Sequence, residues 1–190
     1  MNGPWLQTMD GGVMQLLAPL QDSIHLTTLS IVLSRTCRFG GHTNTYYSVA
    51  DHSLRVHEWV SGRTADPHIR LAALLHDGHE AYSGFGDVCQ PVRVLFPRLS
   101  LIEDGIDKVI AAKFGFDPLL FHHHLVRQAD RILLATEARD LMRPPPRPWD
   151  ALPDPLPERI TPRILEESAW DFESRVRNIT ADIDPERRIT

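Results

Sequence analysis

From about residue 24 to residue 178 the apolar side chains recur at intervals of three and four, and no run of strict alternation bounded by turns interrupts them. Ile69, Ala72, Ala73 and Leu75 form one such set, Leu101, Ile102, Ile106, Val109 and Ile110 a second, and Leu125, Ile132, Leu133, Ala135 and Leu141 a third. That spacing puts the apolar groups on one side of a helix and has no use in a strand. The helix starts are also written in. Asp66-Pro67 and Asp117-Pro118 each offer a capping oxygen followed by a proline at the first helical position. Ser100-Leu-Ile-Glu103 has capping-box spacing, and Ser48-Val-Ala-Asp51 is a looser version that sets His52 in the first turn of its helix. Helices are expected near 24–36, 51–62, 67–83, 100–115, 118–142 and 162–178, which makes the fold an all-α, single-domain helical bundle over 1–190.

With 190 residues and 42% hydrophobic content, the chain is long enough for one sizeable core enclosing a polar pocket. A net charge of −5 gives no broadly basic nucleic-acid surface. The basic residues are almost all Arg, with only Lys108 and Lys113 as exceptions. Cys37 and Cys89 stand in no paired-ligand spacing, so neither a disulfide framework nor a cysteine zinc site is expected. The first residues lack the basic start of a secretion signal, and no apolar run is long enough to cross a bilayer. The expectation is a protein of the cytoplasm with no membrane contact. Residues 143–157 carry 7 of the 15 prolines, which forbids a helix there and implies an extended connection over the surface, or else an ordered flap.

Chemistry concentrates in Leu74-Leu75-His76-Asp77-Gly78-His79-Glu80-Ala81-Tyr82. This string falls late in the helix expected from Pro67, so Glu80 lies over His76, one turn on. Three ionisable groups would then crowd one turn behind an apolar run. Burial without partners would cost several kcal/mol, and a divalent cation is an economical compensator because imidazole and carboxylate are both natural ligands. Two ligands do not make a tight site. His52 and Asp130 are the other candidates, although a lone histidine near a helix start also reads as a capping or surface residue. Asp130, between Arg127 and Arg131, equally reads as half of a surface ion pair.

Taken in order, His52, His76-Asp77 and Asp130 resemble the ligand order of the HD superfamily of metal-dependent phosphohydrolases, which are all-helical. Arg38-Phe39-Gly40-Gly41-His42, then Tyr47-Ser48-Val49-Ala50-Asp51-His52-Ser53, look like the start of the bacterial 5′-deoxynucleotidase branch. Gly86-Asp87 and Gln128-Ala129-Asp130 extend the match, which also covers the related phage dATP triphosphohydrolases. It spans roughly 24–142, with a weaker echo in Ala169-Trp170-Asp171-Phe172. His79 and the Gly-Phe-Gly before Asp87 depart from the family pattern.

The resemblance implies hydrolysis of deoxynucleoside 5′-phosphates, releasing phosphate from a dNMP or triphosphate from a dNTP. It assigns the metal to His52, His76, Asp77 and Asp130, proton transfer to Glu80, phosphate binding to Arg38 and the sugar to Asp87. The cofactor would be one divalent transition metal, Co2+, Mn2+ or Zn2+, with Mg2+ added for a triphosphate, and the partners a deoxynucleotide substrate and further copies of the chain in a homo-oligomer. Two other readings are a cyclic or signalling nucleotide phosphodiesterase, against which the Arg38 motif argues, and a non-catalytic metal- and nucleotide-binding regulator. His122, His123 and His124 point about 100° apart along a helix and cannot jointly face one ion, so they read as a solvated helix start. His57 lies on another face than His52; His42 could touch a phosphate or shape the turn. His79 reads as a partner of the ligands or of substrate rather than as part of a second metal site.

Overall fold

A computed structural model describes residues 3–149 and 151–186, and its fold is all-α apart from one short hairpin. Strands β1 (Trp5–Gln7) and β2 (Val13–Gln15) pair antiparallel, with Leu6 opposite Met14. Seven α-helices follow among the described residues: α1 (Leu26–Arg35), α2 (Val49–Ser61), α3 (Pro67–Leu75), α4 (Gln90–Leu95), α5 (Leu99–Phe114), α6 (His124–Leu141) and α7 (Leu165–Ile183). No helix of the described residues is long and apolar enough to cross a membrane.

Helix α3 is the axis of the packing, since every residue from Leu71 to Leu75 is buried. On one side Leu71, Leu74 and Leu75 join Leu29 and Leu33 of α1, Ile106 and Ile110 of α5 and Phe172 and Val176 of α7. On the other, Ala73 meets Val56 and Val60 of α2 and Val126, Ala129 and Leu133 of α6. Each large side chain removed from water in this way contributes about 1.5–3 kcal/mol. Helices α2, α3 and α6, which carry the four candidate ligands or end beside them, are thus held to one another through these two clusters.

Several starts form as the sequence implies. The Asp51 amide donates to Ser48 Oγ at 3.1 Å, opening α2, and the His68 amide donates to Asp66 Oδ1 at 2.9 Å, opening α3. Asp117 caps too, but what it opens is the single 3-10 turn Pro118–His122, and α6 begins only at His124, where His123 Nδ1 accepts from the Leu125 amide. The expected capping box at Ser100 and Glu103 does not form. The Ser100 hydroxyl donates to the Pro97 carbonyl, α5 starts at Leu99, and Glu103 is drawn away into an ion pair with Arg93. The hairpin and α4 are elements that apolar spacing misses: the strands have three residues each, and α4 buries none of its side chains. Helix α7 continues to Ile183, past the expected end near 178, and residues 187–190 lie outside the described part.

The largest departure concerns the helix expected over 67–83. It ends at Leu75; His76 keeps helical angles, Asp77 turns out to φ −101° and ψ 18°, and Gly78–Ala81 forms a 3-10 turn. The physical cause lies across the core. Gly78 sits so close to α5 that a Cβ there would come within 2.9 Å of Ile110 Cδ1 and 3.7 Å of Leu29 Cδ1, so the chain folds flat against α5. Glu80 is therefore not one α-turn above His76.

The proline-rich connection is extended but pinned along α6. The Leu156 amide donates to Thr136 Oγ1, the Ile160 amide to Asp140 Oδ2, and the Arg139 guanidinium to the carbonyls of Leu156 and Glu158. Leu156 and Ile160 pack against the cluster between α2 and α6.

The contact at Gly78 generates a test. Gly78→Ala should destabilise the protein by about 1–3 kcal/mol through overpacking. Ile110→Val, which deletes the opposing methyl, should cost about 0.5–1.5 kcal/mol alone, yet offset part of the loss in the double variant. Urea unfolding measures this, and simple additivity would place the strain elsewhere.

Candidate metal centre

Three helices deliver side chains to one point. His52 comes from the first turn of α2, His76 from the C-terminal cap of α3, and Asp130 from the second turn of α6. Their ligand atoms lie within 4.8 Å of one another, a His-His-Asp group that can hold a metal ion. His52 Nε2 is 3.3 Å from His76 Nε2 and 3.3 Å from Asp130 Oδ1. Asp77 stands beside the triad, with Oδ2 3.3 Å from His76 Nε2 and 3.6 Å from His52 Nε2. His52 is the floor of the site, fully buried, whereas the Asp130 side chain is 43% exposed, so the site opens on the Asp130 side.

The orientation of the rings decides what fits. His52 Nδ1 meets Glu137 Oε1 at 2.5 Å, and His76 Nδ1 meets the Ala73 carbonyl at 3.0 Å. Acceptors on both Nδ1 atoms place the protons there and turn both Nε2 lone pairs toward each other. Two lone pairs and two carboxylates need a positive charge between them. Donors about 2.1 Å from a common ion, at right-angle to tetrahedral separations, lie about 3.0–3.4 Å apart; His52 to His76, His52 to Asp130 and His76 to Asp77 have that spacing, and the His-His-Asp atoms all lie within 4.8 Å. The residues present therefore fit a divalent metal.

The surrounding carboxylates favour positive charge at this point, either a proton on His52 or a metal ion that displaces it. Burial and the Arg38 charge push the His52 imidazole down, but Glu137 and Asp130 outweigh them and lift it to about 10. Burial raises the Asp77 carboxyl, and the two histidines with Arg38 overcome it and hold it well below the usual carboxylate range. Asp130 is lowered against its burial by His52 and His76.

Glu137 is the residue that sequence reading missed. It is wholly buried, and besides His52 it accepts from Arg38 Nη2 at 3.1 Å and from the Tyr47 hydroxyl at 3.0 Å. Burial raises its carboxyl, and the charges of Arg38 and His52 bring it below its ordinary value. A signal was present. Val126, Ala129, Leu133 and Glu137 share the buried stripe of α6, and a glutamate in an apolar stripe needs a partner.

Arg38 is buried, with Nη1 3.3 Å from Asp77 Oδ2 and Nη2 on Glu137, so part of its guanidinium is engaged before any ligand arrives. It enters a turn in which Phe39, Gly40 and Gly41 all have positive φ, at 55°, 57° and 82°. Asp87 fastens that turn: its Oδ2 accepts from the Phe39 amide at 2.6 Å, leaving its other oxygen free of this bond. Glu80 is buried in the 3-10 turn, and its Oε2 has no hydrogen-bond partner. Burial holds its carboxyl well above the usual range, helped by Asp77 and Asp87, while His79 and Arg38 pull the other way. His79 turns to α5, with Nδ1 3.1 Å from Asp107 Oδ1; burial lowers this imidazole, but Asp107 outweighs it and raises it to about 9. His122, at the end of the 3-10 turn, and His124, the first residue of α6, are exposed, and His57 bonds the Arg70 carbonyl away from the centre.

Because Glu137 fixes both His52 and Arg38, Glu137→Gln should weaken metal affinity about 10- to 100-fold. Competition against a chelator with a chromophoric response would measure it, and unchanged affinity would deny Glu137 that orienting role.

No family model matches the sequence. The chain is similar to the uncharacterized protein YfdR of Escherichia coli (strain K12), 38% identical over 121 residues, which cover 64% of this chain and 63% of that protein. The match thus spans less than two thirds of that relative's length.

Proposed function

We propose that this chain is a metal-dependent phosphohydrolase of deoxynucleoside 5′-phosphates, releasing phosphate from a dNMP or triphosphate from a dNTP. The observation that carries the reading is the pair of opposed histidine Nε2 atoms, 3.3 Å apart and flanked by Asp77 and Asp130, with a buried unpartnered carboxyl close by on Glu80. His52, His76, Asp77 and Asp130 would hold Co2+, Mn2+ or Zn2+, for which imidazole and carboxylate are suitable donors, and Mg2+ would accompany a triphosphate. When bound, such an ion supplies Lewis-acid chemistry toward a phosphate ester and its attacking water.

The remaining work belongs to side chains of this protein. Glu80, whose hold on a proton is strengthened by burial, can deliver a proton to the leaving oxygen and recover one from the attacking water. Arg38 brings a fixed positive charge beside Asp77; its guanidinium has five donors, and the hydrogens not committed to Asp77 and Glu137 can meet phosphate oxygens. The Asp87 oxygen left over from the Phe39 amide can accept a hydroxyl of the sugar.

A phosphate-release screen over nucleoside mono-, di- and triphosphates, with Mn2+, Co2+, Zn2+ and Mg2+ and with product analysis, tests the reading. Release from a deoxynucleotide is expected, and silence across the panel would refute it. Glu80→Gln should keep the metal yet lose about 100-fold or more in turnover, the range for removing a positioned proton-transfer group. His76→Ala and Asp130→Ala should instead lose the metal by elemental analysis; wild-type metal content in both would overturn the ligand set.

A further inference from the structure

A cavity of about 580 Å³ lies beside the Arg38 turn, between residues 41–44, the end of α6 and the beginning of the proline-rich connection. That volume is within the range of small-molecule sites, roughly 300–1,000 Å³. Its walls include Met142, Leu152 and the 41% exposed ring of Trp149, and Asn44 and Arg143 also reach it. The floor is rigid. The Asn44 amide is tied to the Leu141 carbonyl at 2.7 Å, so the position of Asn44 is set by the end of α6, while its carboxamide has no partner among the described residues.

A contact path joins this cavity to the metal centre. Arg38, which reaches Asp77 at 3.3 Å, places its guanidinium carbon 5.3 Å from the centre of the Phe39 ring, and that ring is 6.4 Å from the Trp149 ring. From below, Ala138 of the cavity wall follows Glu137, the residue that holds His52 and Arg38. The two sites are thus neighbours on either side of one turn. A ligand whose phosphate sat at the metal would extend its other end toward Trp149.

We infer that this cavity is the subsite for the base of the substrate, taking a planar nitrogen heterocycle against Trp149 and reading its edge with the Asn44 carboxamide. The inference rests on the deoxynucleotide reading given above. The wall chemistry selects this occupant. An exposed indole suits a flat ring, which it binds by stacking irrespective of base identity. A carboxamide offers a donor and an acceptor side by side, the pattern that pairs with a base edge. A polyphosphate tail would need several cations, whereas the cavity residues offer only Arg143 and the imidazole of His42.

The test uses the full chain and probes without phosphate. Deoxyadenosine, deoxyguanosine, thymidine and deoxycytidine are titrated separately while the indole N–H resonances are followed by NMR, with Trp149→Phe assigning the Trp149 signal; 2-deoxyribose 5-phosphate is the control. The Trp149 resonance should move with at least one nucleoside and stay in place with the sugar phosphate. Trp149→Ala and Asn44→Ala should each weaken nucleoside binding about tenfold, and Trp149→Phe should retain most of it. A Trp149 signal unmoved by every nucleoside, or equal affinity in Trp149→Ala and wild type, would overturn the subsite. The outcome is separable from that of the phosphate-release screen. Nucleoside binding at Trp149 in a protein that hydrolyses nothing would keep the subsite and remove the enzyme; hydrolysis with an unmoved Trp149 would do the reverse.

Discussion

The buried carboxylate of Glu137 is the interaction on which the rest of the centre depends. An ionised group taken fully out of water costs several kcal/mol unless charge and hydrogen bonds compensate it. Here three donors do so, from His52, Arg38 and Tyr47. Each is set in turn. His52 has its proton placed on Nδ1 and its Nε2 aimed at His76. Arg38 is drawn inward until it also touches Asp77, and Tyr47 closes the segment leading into α2. Glu137 lies seven residues after Asp130, two turns along the same face of α6. One helix thus supplies both a candidate ligand and the group that orients another.

The order of His52, His76-Asp77 and Asp130 was legible in the sequence, and so were the helix starts at Ser48 and Asp66, because a cap is decided within a few residues. What could not be read was decided across the core. Whether the chain after Leu75 continues as α-helix or flattens into a 3-10 turn depends on the space between Gly78 and Ile110, which are distant in sequence. The same cause moves Glu80 off the His76 face and turns His79 toward Asp107. Local spacing at Ser100 and Glu103 suggested a cap, yet Arg93 offered Glu103 a full opposite charge, and the charge won. Glu137 was hidden for another reason. A glutamate on an amphipathic helix reads as solvated unless its place in the apolar stripe is given weight.

The turn at Phe39 shows how the same physics extends beyond the ligands. A non-glycine residue at φ 55° is held against a strain of order 1–3 kcal/mol, which persists only where the surroundings over-determine it. They do here. Asp87 takes the Phe39 amide, the Arg38 amide is bonded to the Tyr47 carbonyl, and a bridge between Cys37 and Ser48 closes the base of the loop. The two glycines that follow carry the left-handed path at little steric cost and bring the chain back to Asn44 and the end of α6. Because the guanidinium of Arg38 and the ring of Phe39 come from adjacent residues of this over-determined turn, neither can move far without the other. The backbone of this turn therefore fixes where the Arg38 and Phe39 side chains set out, one toward Asp77 and the other toward Trp149.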